Sequence, residues 1–221
     1  MQKTLSRKQY AAERKLFPER IDMKKPSIYI EPLAPAGIFV LLFVCENMVR
    51  VSIITSVIVH EAAHLLAAIF CKEKVRSIRI TPFGITLGFT CPKTYKEEAF
   101  VALCGPLASI AYAALGYFRG GAFGTEVLLF SAFLGAMNLL PFPTFDGFRI
   151  LRALFAQIFG CNIAERIMHA LSLACLFAAW TISIYILFYS GANFALLLFC
   201  AYIFAFTVIK KDCIHEKKMV Q

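Results

Sequence analysis

Two histidines and a glutamate within an apolar segment are the residues best placed to carry out chemistry. His60, Glu61 and His64 lie in VIVHEAAHLLAAIF, residues 57–70. On a helix, side chains at i and i+4 lie on the same face, so the two histidines can share one metal ion. Glu61 follows the first histidine and can take a proton from water at that metal. This H-E-x-x-H spacing is the signature of zinc hydrolases.

The residues around this motif favour a buried metal site over a solvated helix face. The motif is flanked by Val57, Ile58 and Val59 on one side and by residues 65–70, which contain no charge, on the other. Ionisable groups at membrane depth are costly unless they face a protein interior and have partners there. An exposed polar surface therefore explains these three residues poorly.

The composition is that of an integral membrane protein. Hydrophobic residues make up 59% of the 221 residues and charged residues only 17%, whereas globular domains have about 45–50% and about 25%. A full membrane crossing needs about 20 residues. Six apolar segments follow one another, at residues 33–49, 51–71, 99–118, 126–141, 167–189 and 193–209. The sequence thus predicts an all-α polytopic membrane protein with six transmembrane helices.

The net charge of +9 is distributed as in a membrane protein rather than a nucleic-acid-binding protein. If both termini are cytosolic, all of the 23 Lys and Arg residues except Arg50 and Arg119 lie in cytosolic segments. This asymmetry follows the positive-inside rule. We therefore expect no nucleic-acid partner, a basic cytosolic tail over residues 1–31, a membrane domain over 32–210 and a cytosolic tail over 211–221.

The segment between the second and third spans is predicted to contain two short strands. Residues 78–90 are rich in β-branched residues and are interrupted by Pro82-Phe83-Gly84, a pattern typical of a hairpin. An open strand edge at membrane depth is tolerated only beside protein or a water-filled cavity. We therefore expect a short re-entrant β-hairpin near the active-site cavity.

A third metal ligand has to be found outside the H-E-x-x-H motif. A catalytic zinc usually has three protein ligands and an open position for water. The metzincin pattern H-E-x-x-H-x-x-G-x-x-H is excluded, because Ala67 and Phe70 occupy its last two positions. Of the three aspartates, Asp22 and Asp212 lie in polar tails. This leaves Asp146 as the candidate ligand.

The surroundings of Asp146 are compatible with that role. Pro141 and Pro143 prevent a continuous helix before it, and Gly147 permits a sharp turn directly after it. Asp146 falls at the cytosolic end of the fourth span, the side on which the second span also ends. His64 lies about 10 Å from that end of the second span.

With these motifs the sequence resembles the site-2 protease family of intramembrane zinc metalloproteases. The resemblance covers roughly residues 30–210 and includes two chemical motifs and two structural ones. The matching positions are His60, Glu61 and His64 for H-E-x-x-H, Asn138, Pro141, Asp146 and Gly147 for N-P-D-G, Gly105-Pro106 for the G-P motif, and Thr81-Pro82-Phe83-Gly84 for the re-entrant hairpin.

Within that family, the six-span layout and the P-F-G hairpin are most similar to the stage IV sporulation protein FB branch. The sequence departs from the branch pattern at Ile85, Ser109, Thr144 and Phe148, where glycine, asparagine, proline and glycine are usual. These departures change packing near the site and leave the ligands intact.

The resemblance implies a zinc endopeptidase that cleaves a membrane-associated protein near the cytosolic face of a bacterial membrane. His60, His64 and Asp146 would hold Zn²⁺ and Glu61 would act as the base. Asn138 would bind the substrate backbone or the oxyanion, or else serve only as a buried amide at the broken helix. The sporulation branch suggests a pro-sigma factor as the substrate, and regulatory membrane proteins as further partners.

A transmembrane substrate must unwind before its peptide bonds can be attacked. An exposed hairpin edge can hold an unwound segment as an added strand. Gly84, Ile85 and Leu87 are therefore the candidate substrate-binding residues of the hairpin.

Two alternatives remain open from the sequence. The first is a catalytically silent membrane zinc protein, a scaffold or a carrier, although a scaffold has no need of Glu61. The second is a membrane-anchored gluzincin in which Glu97, Glu98 or Glu165 supplies the third ligand.

Overall fold

The computed structural model describes residues 27–30, 34–39, 43, 45–73, 75–81, 84–89, 94–190 and 196–205. The described chain is mostly helical and includes one small sheet. In chain order the elements are β1 (Ser27–Ile30), α1 (Ala34–Phe39), α2 (Asn47–Phe70), β2 (Val75–Thr81), β3 (Gly84–Phe89), α3 (Tyr95–Arg119), α4 (Gly121–Asn138), α5 (Asp146–Phe159), α6 (Cys161–Ser190) and α7 (Leu196–Ala205).

Four of the described helices, α2, α3, α4 and α6, are long and apolar enough to cross a membrane. This finding supports the prediction of a membrane protein, whereas the count of six spans is not confirmed. The predicted first span, 33–49, contains α1 and also residues outside the described part of the chain. The predicted last span, 193–209, contains α7, which is apolar but short.

The polar face of α2 is built from serine and histidine side chains at every fourth position. Ser52, Ser56, His60 and His64 are all buried there. The Ser56 hydroxyl lies 2.7 Å from the hydroxyl of Ser131 on α4. This stripe therefore faces the neighbouring helices, while exposed positions of α2 carry large apolar side chains such as Ile54, Ile58 and Leu66.

Helices α3 and α4 form a close antiparallel pair on one side of that stripe. Gly120 alone connects them and has a φ of 64°, a conformation that favours glycine. Near the connection, a Cβ built at Gly116 would lie 2.8 Å from the backbone oxygen of Gly124. The two backbones therefore cross in near contact at the end of the pair that is far from the histidines.

Helix α5 is an element that the sequence analysis does not predict. The loop before it, residues 139–145, follows the end of α4 and is fixed from α6, where the Ser172 hydroxyl donates to the Pro141 carbonyl at 2.5 Å. Phe142 in this loop packs in a buried cluster with Leu176 of α6 and Ile203 of α7. The loop that connects the fourth predicted span to Asp146 is therefore held in place by α6 and α7.

The small sheet has the order β1-β2-β3. β1 pairs with β2 in parallel, and β2 pairs with β3 in antiparallel fashion. The antiparallel pair lies where the sequence predicts a hairpin, and β3 lies against α2. Its entry into the membrane stays a prediction. β1 is an addition, because residues 27–30 fall in the segment that was assigned to the basic tail.

Candidate metal centre

Three buried side chains meet at one point between α2 and the start of α5. The Nε2 atoms of His60 and His64 lie 3.2 Å apart. Oδ2 of Asp146 lies 3.2 Å from Nε2 of His60 and 2.9 Å from Nε2 of His64. The exposed fractions of the three residues are 3%, 4% and 8%. Among the described residues, these three form the one cluster of His, Cys, Asp and Glu that fits a metal ion.

Two glycines provide the space that this meeting requires. A Cβ built at Gly105 of α3 would overlap the imidazole of His64. A Cβ built at Gly147 would overlap the backbone oxygens of Leu139 and Leu140. Gly105 thus lets α3 approach the histidine ring, and Gly147 lets the first turn of α5 pack on the end of α4. Both glycines belong to motifs that the sequence analysis identifies.

Helix α3 orients both histidine rings through their Nδ1 atoms. Nδ1 of His64 donates to the backbone carbonyl of Val101 at 2.8 Å, so Nε2 is the ring nitrogen left to bind a metal ion or a proton. Nδ1 of His60 lies 2.8 Å from the hydroxyl of Ser109. A hydrogen bond from one ring nitrogen to a carbonyl fixes which nitrogen carries the proton, whereas a hydroxyl, which can donate or accept, fixes the orientation of the ring. Both Nε2 atoms are therefore presented to Asp146.

This donor set fits a divalent metal ion of the zinc class. With zinc bonds of about 2.0–2.1 Å, two tetrahedral ligand atoms lie about 3.3 Å apart, close to the three distances observed. Nε2 of His64 and Oδ2 of Asp146 lie 2.9 Å apart, an approach that a positive charge between them stabilises, either a proton on the imidazole or a metal ion. Two imidazoles and one carboxylate are a catalytic zinc set.

Asp146 is held on its other side by Arg149, one turn further along α5. Nη1 of Arg149 lies 3.4 Å from Oδ1 of Asp146, so the two oxygens of this carboxylate have different partners. Burial alone would raise the pKa of Asp146, but the hydrogen bonds to His60 and His64 and the charge of Arg149 outweigh it. The pKa therefore lies well below its usual value, and the carboxylate is ionised, as a metal ligand must be.

Glu61 and Asn138, the predicted base and the predicted substrate-binding amide, lie on two different helices. Glu61 follows His60 on α2 and is half-buried. Asn138 ends α4, and its Nδ2 donates to the Leu134 carbonyl at 3.0 Å. This bond is compatible with the structural role that the sequence analysis offers as its alternative, and binding of substrate by Asn138 stays a prediction. Because an amide nitrogen carries two hydrogens, a second donor of Asn138 has no partner among the described residues.

The other sequence-predicted residues fall outside the metal cluster. Gly84, Ile85 and Leu87 lie along β3. Glu97, Glu98 and Glu165 are all within the described part of the chain, and none of them joins the histidines. Glu98 pairs instead with Arg152 of α5. The gluzincin alternative therefore has no support from the geometry.

Three residues of the centre are missed by the sequence analysis. Val101 acts through its backbone, so its side chain carries no signal. Ser109 is noted there only as a departure from the branch pattern, although it contacts His60. Arg149 follows Asp146 at i+3, a spacing that brings two helical side chains together and that could have identified it.

Comparison with known proteins agrees with this geometry. Residues 123–182 match peptidase family M50, a segment that includes Asn138 and Asp146 but not the H-E-x-x-H motif. The fold is similar to that of the site-2 protease from Methanocaldococcus jannaschii, with a TM-score of 0.62 and 20% sequence identity, covering 81% of this chain and 88% of that one. No curated protein matches the sequence significantly. The chain therefore shares the fold of a site-2 protease.

Proposed function

We propose that this protein is an intramembrane zinc metalloendopeptidase. The observation that carries the proposal is the convergence of Nε2 of His60, Nε2 of His64 and Oδ2 of Asp146 within 3.2 Å of one another. The match of residues 123–182 to a peptidase family and the site-2 protease fold support the same activity.

The residues of the centre would divide the work of peptide hydrolysis among them. His60, His64 and Asp146 would hold the metal, while Ser109 orients the ring of His60 and the Val101 carbonyl accepts from Nδ1 of His64. A zinc ion held there would supply Lewis acidity, which lowers the pKa of a bound water and polarises the scissile carbonyl. Glu61 takes the proton of the attacking water and returns it to the leaving amine.

The substrate is proposed to be a membrane-associated protein cut near the cytosolic face of a bacterial membrane. An unwound segment would pair with β3, contacting Gly84, Ile85 and Leu87, and would meet the remaining donor of Asn138. The likeness to the sporulation branch makes a pro-sigma factor the first substrate to test, with regulatory membrane proteins as further partners. In this arrangement both termini of the chain face the cytosol.

The experiment that tests this function separates the base from the ligands. Glu61→Gln keeps the shape of the side chain and removes its basicity, so it should retain stoichiometric zinc and lose cleavage by about 10²–10⁴-fold. His64→Ala and Asp146→Ala remove ligands, so they should lose zinc as well as activity. The measurements are zinc content and cleavage in detergent, beside the wild type.

Three outcomes would change the proposal. Normal cleavage by Glu61→Gln would exclude Glu61 as the base of the proposed mechanism. A wild type that binds zinc but cleaves no substrate would favour a membrane zinc scaffold or carrier. Full zinc and activity in Asp146→Ala would place the third ligand elsewhere. A Glu61→Gln protein that keeps its zinc should also bind substrate without cutting it, and can therefore be used to isolate that substrate by co-purification.

A further inference from the structure

We propose that Arg149 is a positioning residue that keeps Asp146 a one-oxygen ligand and so keeps the metal site open for water and substrate. The inference rests on the proposed function, because it assigns a role at the same metal centre. It goes beyond that function by adding a residue to the centre and by predicting a property of the bound metal.

The two oxygens of Asp146 have separate partners in the structure. Oδ2 faces Nε2 of both histidines, at 3.2 and 2.9 Å. Oδ1 faces Nη1 of Arg149 at 3.4 Å. A carboxylate can bind a metal with one oxygen or with both. A cation beside Oδ1 favours the first mode, because the second would require Oδ1 to leave its partner.

The number of positions that Asp146 occupies matters for the chemistry. A catalytic zinc has three protein ligands and an open position for water or substrate. If Asp146 bound through both oxygens, the second oxygen would compete with water and with the scissile carbonyl. Arg149 therefore protects the open position while it leaves the ligand set unchanged.

Arg149 also has the exposure and the position that this role requires. The Asp146 side chain is 10% exposed and that of Arg149 is 32% exposed, so the arginine lies at the border between the buried centre and its surroundings. Both residues belong to the first turn of α5, and i, i+3 neighbours on a helix lie on the same face. The contact is therefore set by the helix itself once Gly147 allows α5 to begin there.

The test measures the metal rather than the activity. The wild type, Arg149→Met and Arg149→Lys are purified in detergent, stripped with a chelator and titrated with zinc against a fluorescent chelator. Arg149→Met should bind one zinc with about 10–100-fold weaker affinity, the usual effect of losing a partner of a metal ligand. Arg149→Lys keeps a cation beside Oδ1 and should recover most of that loss.

Cobalt replaces zinc in a second measurement that a merely structural role would not change. Visible absorption of Co²⁺ is strong in four-coordinate sites and weaker when the coordination number rises. The Arg149→Met protein, saturated with Co²⁺, should absorb less strongly than the wild type. Arg166→Met is the matched control, because it removes the same charge from an exposed position on α6 and should leave affinity and spectrum unchanged.

The outcomes separate this inference from the proposed function. A wild type that binds no zinc overturns both. If the wild type binds zinc and Arg149→Met has the same zinc affinity and the same cobalt spectrum, only the role of Arg149 is overturned. The same holds if Arg166→Met loses as much zinc affinity as Arg149→Met does. If Arg149→Met does not fold, Arg149→Gln takes its place with the same expectation, since glutamine is neutral and too short to reach Oδ1.

Discussion

Gly105 lies directly against the imidazole of His64, with no room between them for a methyl group. It belongs to a series on α3, Val101, Gly105 and Ser109, that recurs every four residues and faces the two histidines of α2. Val101 accepts from His64, Gly105 gives the ring space, and Ser109 contacts His60. The metal-binding stripe of α2 thus has a matching stripe on the neighbouring helix.

We expect Gly105→Ala to weaken zinc binding while the protein stays folded. The added methyl group must displace the His64 ring from its place beside Asp146. Overpacking costs about 1–3 kcal/mol, or roughly ten- to hundredfold in a binding constant. Zinc affinity in detergent measures the effect. Ala111→Val enlarges an exposed residue of the same helix and should bind zinc normally. Unchanged affinity in Gly105→Ala would show that the ring does not need this position.

Ser109→Ala should also weaken zinc binding, by about 10–100-fold, because Nδ1 of His60 loses the partner that orients it. Ser131→Ala is a matched control. Ser131 is equally buried and bonds to Ser56, one turn from His60 on α2, but touches neither histidine. An equal loss in both variants would mean that the serines act through helix packing and not through the orientation of the His60 ring.

Much of the centre could be predicted from the sequence because its ligands carry strong local signals. His60 and His64 are linked by helical spacing, and Asp146 is the one aspartate outside the polar tails. The partners of these ligands are different. Val101 contributes only a carbonyl, and Ser109 touches His60 across a helix packing that no sequence spacing fixes. Such contacts arise from tertiary structure.

Less of the fold than of the candidate site could be predicted from the sequence. The apolar pattern identifies α2, α3, α4 and α6, because membrane spans have a strong signal. It does not identify α5, whose apolar residues occupy only one face and which follows two prolines. It also misses β1, a four-residue strand whose partner β2 lies far along the chain. Long-range strand pairing leaves little trace in local sequence.

The ion pair between Glu98 and Arg152 is predicted to hold α5 onto α3. The side chains are 8% and 30% exposed. Burial alone would lower the pKa of Arg152, but the charge of Glu98 outweighs it, and the pKa is raised. Glu98→Gln should lower the free energy of unfolding by about 3 kcal/mol, at the lower end for a buried pair because Arg152 is partly exposed.

The double variant Glu98→Leu with Arg152→Met tests whether the pair itself is responsible. Replacing both charges by apolar groups removes the unpaired charge that a single change leaves. The double variant should therefore be more stable than Glu98→Gln in chemical unfolding. Should the double variant lose as much stability as the sum of the single changes, the two residues do not act as a pair.

The orientation in the membrane is predicted from the distribution of basic residues. Reporter fusions after residue 30, near 95 and after 212 should report the cytosol. Fusions near 121, at the connection of α3 and α4, should report the opposite side. A cytosolic signal near 121 would reverse the orientation of α3 and α4 and exclude the six-span topology.

The last prediction concerns β3 as the strand to which an unwound substrate pairs. β2 has partners on both sides, β1 and β3. Within the described chain β3 pairs only with β2, so its second edge has no strand beside it, and β3 lies against the helix that carries His60 and His64. Successive amides of a strand point to opposite edges. Ile85 and Leu87 therefore direct their N–H groups to one edge, and Thr86 to the other.

Proline at one of these positions removes an amide donor from one edge only. We expect Ile85→Pro and Leu87→Pro to slow cleavage of a helical substrate by about fivefold for each hydrogen bond lost, with zinc content unchanged. Ile85→Ala and Leu87→Ala keep the backbone amide, so they distinguish the effect of losing the amide donor from the effect of changing the side chain. Thr86→Pro tests the opposite edge. Because the metal ligands are untouched in every variant, a loss of cleavage with full zinc locates the defect in substrate binding. Undiminished cleavage in both Ile85→Pro and Leu87→Pro would exclude strand pairing through these amides.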